Sequence, residues 1–277
     1  MCCTCMKSVS FRFTYSCSLL IFLLRNKLLS LHTLNFHKME ANKNLSAFIF
    51  GYTGGVGRAI VNALALEPRF QKVTLFGRRV VDLEENNSGE KFPGDFTKFS
   101  QDVVDFDQLS ENSAYFGEKL KGFDVGIYAL GVNPMKTDEA TFTRTTRGWL
   151  LAVAKLARNG GCKHFHRMSG DLANKDSWMK FGRFGAETDN LLCEINYPRV
   201  SIYKPAAILT ELNGGGMIGS WGVMMMRFLD RWHWWSVEGE VLAKFVVETT
   251  FRKRKDEKNR VEVFTNADIN KWGKQEG

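Results

Sequence analysis

The stretch that most narrows what this chain can become runs from Ala47 to Arg58, Ala47-Phe48-Ile49-Phe50-Gly51-Tyr52-Thr53-Gly54-Gly55-Val56-Gly57-Arg58. A short apolar run ends in glycines at 51, 54 and 57. Val56, Ile60, Ala63 and Leu64 then follow at helical spacing, so the stretch reads as strand, tight turn and helix. Each glycine has its own physical reason. One lets the chain turn sharply, one lets backbone N–H groups approach a pyrophosphate, and one lets the helix lie close to the sheet. Phosphates would then sit at the positive end of the helix. With 25 glycines in the chain, the bare spacing arises by chance roughly 0.2 times. The flanking strand and helix are what turn it into a dinucleotide-binding signal.

A chain of 277 residues with 44% hydrophobic content buries one sizeable core. The net charge of +8 suggests nucleic acid until it is divided by region. Lys7, Arg12, Arg25, Lys27 and Lys38 stand in a segment without an acid, so five of the eight charges lie there and the remainder carries only +3. The cluster Arg252-Lys253-Arg254-Lys255 is followed at once by Asp256 and Glu257, and reads as a solvated helix end or turn, with nuclear targeting or an acidic partner as the lesser alternative. Nucleic-acid binding is therefore not expected.

Residues 1–45 read as a leader or upstream extension. This segment holds Cys2, Cys3, Cys5 and Cys17, and its apolar run from Leu19 to Leu24 is too short to span a bilayer. It reads as a secretory signal, a transit peptide or an upstream extension before a start at Met39, the last carrying most weight. Membrane attachment is expected only if the leader is retained. The body holds only Cys162 and Cys193, which favours a reducing compartment.

Along the body, Lys72 to Phe76 reads as a second strand ending in Gly77-Arg78-Arg79. In a doubly wound sheet this strand end meets the adenosine ribose, where arginine suits the 2′-phosphate of NADP and an acid suits NAD. The basic pair favours NADP, while Asp82 and Glu84 keep NAD open. Residues 82 to 98 read as a loop, and Phe99 to Phe106 as an extended segment. At its end Asp105 is expected either at an adenine amino group or as a helix N-cap for residues 107 to 120, with Phe106 beside the ring.

Asp124 to Gly131 is a fourth strand that places Leu130 and Gly131 beside the cofactor. A helix over 138 to 159 should turn Phe142, Trp149, Val153 and Leu156 to the core. Lys163 to Ser169 is a fifth strand. His164 and His166 share a face there, but without ligand spacing, so no metal is expected. A helix from Ser177 to Asn196 and a sixth strand from Arg199 to Tyr203 complete the pattern. The expectation is an α/β, Rossmann-like doubly wound parallel sheet of six strands over residues 46–206. Residues 207–277 should add a small α-rich C-terminal cap to the same globular unit. Within it, 217 to 235 is dense in Met and Trp, which suits core, a pocket cover or a partner surface.

From Ser46 to Lys274 the chain resembles the atypical short-chain dehydrogenases, and among them the Tat-interacting oxidoreductase-like proteins. The resemblance rests on Gly51-x-x-Gly54-x-x-Gly57-Arg58, Lys72-Val73-Thr74-Leu75-x-Gly77-Arg78-Arg79, Val103-Val104-Asp105-Phe106, Asp124-Val125-Gly126 and Leu156-Ala157-x-x-Gly160-Gly161-Cys162-Lys163-His164-Phe165. It implies an NADPH-binding Rossmann fold with Gly51, Gly54, Gly57, Arg78 and Arg79 at the cofactor. It also implies a cytoplasmic and nuclear regulator with a protein partner, linked to nuclear import and to transcriptional or kinase control. Mitochondrial targeting through residues 1–38 is the lesser alternative.

The family places a serine at the end of the fifth strand, then a tyrosine and a lysine four residues apart on the next helix. Ser169 fills the serine position, but the pair reads Phe181 and Gly185, and Thr146 stands where relatives carry an acid or amide. Phenylalanine has no proton to give and glycine no charge, so an impaired enzyme is expected. Lys180 is one residue off the needed face and Arg183 is a poor acid. A reductase with a different proton donor, such as water oriented by Ser169, is the competing expectation. A membrane-tethered assembly factor is a third.

Overall fold

The computed structural model describes residues 44–85, 91–109, 111–132, 136–210, 230 and 235–276. The leader and most of the Met/Trp-rich stretch lie outside the described residues. Leu45–Gly277 form one compact unit.

Strand β1 (Leu45–Phe50) leads through the glycine turn into helix α1 (Gly55–Ala65), and β2 (Phe70–Gly77) and β3 (Phe99–Val103) follow. A 3-10 turn (Phe106–Leu109) and α2 (Ser113–Lys119) connect to β4 (Val125–Tyr128). The predicted helix over 138 to 159 is broken into α3 (Glu139–Thr143), one π-helical stretch (Arg144–Trp149) and α4 (Leu150–Asn159). Then come β5 (His164–Met168), α5 (Lys180–Cys193), β6 (Arg199–Lys204), the short β7 (Ala207–Leu209) and β8 (Ser236–Glu238), α6 (Gly239–Phe251), β9 (Val261–Thr265) and α7 (Asn266–Glu276).

The main sheet is parallel throughout, in the order β3-β2-β1-β4-β5-β6-β9, while β7 and β8 pair separately. The reversal of strand order on either side of β1 makes this a doubly wound α/β sheet of the Rossmann type, with its crevice at the carboxyl ends of β1 and β4. The sheet has seven strands where the sequence pattern implied six. The segment after residue 206 thus contributes an edge strand as well as helices, since β9 pairs with β6 from Val200↔Val261 to Lys204↔Thr265.

Alternation along β1 explains both cores. Ala47 and Ile49 face one layer with Ile60 and Leu64 of α1 and Leu242 and Val246 of α6. Phe48 and Phe50 face the other, with Phe116 of α2, Val153 of α4 and Leu192 of α5. Burying each such phenylalanine contributes about 1.5–3 kcal/mol, and Phe50 stacks on Phe76 at 5.0 Å. On α4 the core face is Leu150, Val153, Ala154 and Ala157. Trp149 and Leu156 are only half-buried, because the π-helical turn rotates the face relative to an ideal 3.6 period. At the end of α6, Arg252 is not simply solvated, since its guanidinium lies over the Phe245 and Phe264 rings.

Candidate functional site

The glycine turn has the close approach that its spacing predicted. Gly51 has φ +91°, a left-handed conformation, and a Cβ there would come within 2.6 Å of the Ala129 carbonyl carbon. A Cβ on Gly57 would collide with the Gly51 carbonyl oxygen, whereas one on Gly54 would sit 3.5 Å from that atom in ordinary contact. Gly54 donates its N–H to the Gly51 carbonyl at 3.1 Å and stands at the N-cap of α1. No side chain caps that helix, and no acid stands in its first turn. The first N–H groups, including those of Gly55 and Val56, thus keep their donor capacity and their positive field for an anion.

Beside the turn lies a cavity of 320 Å³ lined by Gly51, Tyr52, Thr53, Phe76, Gly77, Arg78, Arg79, Phe106 and Leu130. Tyr52 is buried and closes its base. Its hydroxyl donates to the Arg79 carbonyl at 2.6 Å and lies 2.9 Å from Gln101 Oε1, with its ring against the Cα of Gly77. Arg78 and Arg79 are exposed, and among the described residues neither guanidinium has an acid at ion-pair distance. Phe106 is buried against Phe50 and the edge of Trp149.

Gly54, Gly55, Val56 and Gly57 form the turn and the start of α1 beside the cavity without lining it, and Arg58, Asp105 and Gly131 also stand outside its lining. Arg58 spans outward to the carbonyls of Asp82 (2.6 Å), Leu83 (2.9 Å) and Glu85, so its guanidinium clamps the loop after β2. Asp105 is exposed and accepts the Asp107 N–H at 3.0 Å, which is the capping alternative. Gly131 lines the neighbouring cavity, and Leu130 lines both.

That second cavity, of 540 Å³, brings together Thr146, Ser169, Phe181 and Gly185. Ser169 donates its hydroxyl to Asp189 Oδ2 at 3.1 Å, and its N–H is held by the Tyr203 carbonyl at 2.8 Å. The four positions that the resemblance singled out therefore meet in space around one cavity. Lys180 and Arg183 do not substitute for them. The Lys180 ammonium pairs with exposed Glu139 at 2.6 Å, and Arg183 donates to the Ser177 carbonyl at 2.6 Å.

Arg167, which lines the cavity, belongs to a buried charge cluster that the sequence reading passed over. Arg167 lies two residues before Ser169 on the same face of β5 and is 3% exposed. Its Nη1 is 2.8 Å from Asp189 Oδ1, and Lys204 Nζ is 3.5 Å from Asp189 Oδ2 while donating to the Ala173 carbonyl at 2.5 Å. Burial pushes the Asp189 carboxyl up, and the facing cations pull it back. Burial likewise pushes Arg167 down against the pull of Asp189. The alternation along β5 puts Arg167 on the face of Ser169, but no local signal marks its partners Asp189 and Lys204, which come from α5 and β6.

Those histidines are buried on the opposite face of β5, with ring centroids 3.9 Å apart. His164 Nε2 lies 2.9 Å from Ser201 Oγ, and His166 Nδ1 lies 2.9 Å from the Tyr203 hydroxyl. They are hydrogen-bonded core groups. Among the described residues no cluster of His, Cys, Asp and Glu suits a metal ion, and no helix is long and apolar enough to cross a membrane. Of the Met/Trp-rich stretch, exposed Trp235 lines the second cavity.

No protein-family model matches the chain. Among curated proteins it is 32% identical to protein HTATIP2 of Rattus norvegicus over 169 residues, which is 61% of this chain and 65% of the rat protein. The chain thus spans just under two thirds of that relative's length. It is 25% identical to the mitochondrial protein FMP52 of Debaryomyces hansenii, over 73% of this chain and 86% of the yeast protein. Among solved structures, the Bordetella bronchiseptica enzyme WbmG in complex with NAD matches with a TM-score of 0.57 at 12% identity, over 80% of this chain and 72% of the enzyme. The carbonyl reductase Sniffer of Drosophila melanogaster matches with a TM-score of 0.51 at 14% identity, over 80% and 96%. By sequence the chain is similar to HTATIP2, and its fold is like that of WbmG and of the carbonyl reductase Sniffer.

Proposed function

We propose that this chain binds NADPH and acts as a cofactor-loaded regulatory protein rather than an efficient reductase. The observation that carries this is the company of Ser169 in the second cavity. Phe181 and Gly185 stand there, and neither supplies a proton or a cation. Loss of a positioned general acid typically removes about 10² to 10⁴ in rate.

The residues at the first cavity fit a nicotinamide dinucleotide. The uncapped start of α1 and the close approach at Gly51 and Gly57 suit a pyrophosphate, and Arg78 and Arg79 suit a 2′-phosphate. WbmG, a fold relative, was solved with NAD, which supports the cofactor class. When bound, NADPH supplies a hydride. The chain's part is then to seat the phosphates on backbone N–H groups, hold the ribose end by the two arginines, and present the Ser169 hydroxyl, oriented by Asp189, to whatever enters beside Leu130. The regulated partner is proposed to be a protein, by resemblance one of nuclear import. The proposed location is cytoplasm and nucleus, with mitochondria, where the FMP52 relatives are named, as the alternative through residues 1–38. Fractionation of cells that express the full chain separates the two.

A second reading, an NADPH-dependent carbonyl reductase, is favoured by the hydrogen bond from Ser169 to buried Asp189, which keeps one hydroxyl poised in the cavity. Titration with NADPH and NADH tests the shared foundation. Tight binding of NADPH alone, weakened about tenfold or more by Arg78→Glu as expected for loss of a charge-assisted contact, supports it. Binding of neither removes it.

A further inference from the structure

The main sheet ends in two edge strands, β9 and β3, and the chain treats them differently. Along β9 the Arg260 carbonyl accepts the Val200 N–H at 2.8 Å, so by alternation Val261, Val263 and Thr265 turn their main-chain groups outward. The chain covers two of these donors itself. The Val261 N–H donates to Asn259 Oδ1 and the Thr265 N–H to Asp268 Oδ2, both at 3.0 Å. Along β3 the Lys98 carbonyl accepts the Val73 N–H and the Val104 N–H donates to the Gly77 carbonyl, both at 2.9 Å, so Phe99, Gln101 and Val103 face outward. Phe99 uses its N–H on the Phe96 carbonyl at 3.1 Å, but among the described residues the N–H groups of Gln101 and Val103 have no partner. An open edge of this kind is a template for another strand.

The surface beside β3 is apolar for an edge. Of the eight large apolar side chains that stand exposed among the described residues, Val80, Val103 and Tyr115 lie here. Val103 is 54% exposed at the strand end. Val80 precedes Val81, whose main chain is bonded to the Gln101 side chain at 2.9 and 2.8 Å, and Lys119 reaches from beside the Tyr115 ring to Asp102. The strand is also self-complementary. A second copy laid antiparallel about Gln101 sets Phe99 against Val103 and Ser100 against Asp102, twice over. Outward residues then meet one another, as the hydrogen-bonded pairs of an antiparallel ladder require, and an aromatic ring meets a β-branched side chain. Asp102 already pairs with Lys119 at 2.5 Å, so this register brings no bare like charges together.

We propose that β3 is a self-association edge, through which two copies of this chain join about a two-fold axis into one continuous sheet. A five-residue strand pair with these flanks is small beside standard interfaces, so the dimer is a weak one that forms at micromolar concentrations.

Sedimentation equilibrium of the full chain tests it, with hydrogen exchange of the β3 peptide as the local readout. The chain should pass from monomer to dimer as concentration rises, and exchange at Gln101 and Val103 should slow in step. Val103→Pro removes an outward N–H and no internal hydrogen bond, a change that edge strands tolerate. It should weaken the dimer at least tenfold, because a two-fold contact loses the bond twice. Val263→Pro makes the same change on β9 and should leave the dimer as it was. Val103→Lys keeps the backbone donor but sets a cation against Phe99 of the second copy. It should also favour the monomer, and it stands in for the proline variant if that one does not fold. A chain that stays monomeric through the micromolar range, a dimer whose β3 exchange ignores concentration, one that the Val103 variants leave intact, or one weakened equally by Val263→Pro would overturn the proposal.

Discussion

The hydroxyl of Tyr52 donates to the carbonyl of Arg79 at 2.6 Å and so ties the turn after β1 to the turn after β2. The first turn offers phosphate-binding N–H groups and the second offers the arginines, so this bond sets the distance between the two halves of the proposed dinucleotide site. Tyr52→Phe removes it and leaves Gln101 without that partner. A lost neutral hydrogen bond is worth about 0.5–1.5 kcal/mol, so NADPH affinity should fall roughly threefold to tenfold while NADH affinity moves less. Fluorescence titration of both cofactors checks this, and an equal loss for the two would mean that Tyr52 does not act through the arginines.

The three glycines of the turn are equivalent in the motif but not in space. Gly57→Ala drives a methyl into the Gly51 carbonyl, which has no room to retreat because the Gly51 Cα already abuts Ala129. Overpacking of this kind costs about 3 kcal/mol or more. Gly54→Ala meets only an ordinary contact at 3.5 Å with φ −82°, and should stay within about 1 kcal/mol. Urea denaturation of the two variants gives the comparison directly.

What was legible in the sequence were features with a local period. β1, α1 and β2 declared themselves through apolar runs and helical spacing, and Gly51 to Gly57 through their offsets. Features made by distant chain segments were not legible. Val261-Glu262-Val263-Phe264 reads as a strand, but nothing local says that it joins β6 at the sheet edge. Arg58 sits among the glycines and invites a phosphate role, yet the path of the loop after β2 brings three carbonyls to it. Arg167 is masked for a similar reason. Its charge matters only because Asp189 and Lys204 arrive from α5 and β6.

The buried histidine pair gives a pH dependence. Burial pushes His166 down to about 3 and His164 well below the ordinary imidazole range, with neighbouring positive charge adding to the shift. Unfolded histidine titrates near 6.5. Between that value and the depressed folded one, only the unfolded chain takes up the proton, so stability is present above about pH 6.5 and is lost as pH falls. Each neutral histidine steepens the fall by about 1.4 kcal/mol per pH unit. Denaturation between pH 7 and pH 5 should show a shallower slope for His166→Gln, by one proton's worth, even if the variant is less stable throughout. An unchanged slope would mean that the pair takes up protons in the folded state.

The strongest test of the impaired-enzyme reading is to put the missing groups back. Phe181→Tyr places a phenol in the second cavity, and Gly185→Lys places an ammonium one helical turn on. The lysine fits tightly, because a Cβ at 185 stands 3.0 Å from the Ala173 Cβ, so a few tenths of an ångström must be found there. Phe181→Tyr alone should gain little, since a phenol near its ordinary pKa of about 10 is a poor match for proton transfer at pH 7 without a cation beside it. The double variant should reduce 9,10-phenanthrenequinone with NADPH roughly 10² times faster than the natural chain, within the range that one positioned acid commands. If the natural chain already turns over as fast as the double variant, and Ser169→Ala abolishes that rate, then Ser169 carries the chemistry and the regulatory reading is wrong.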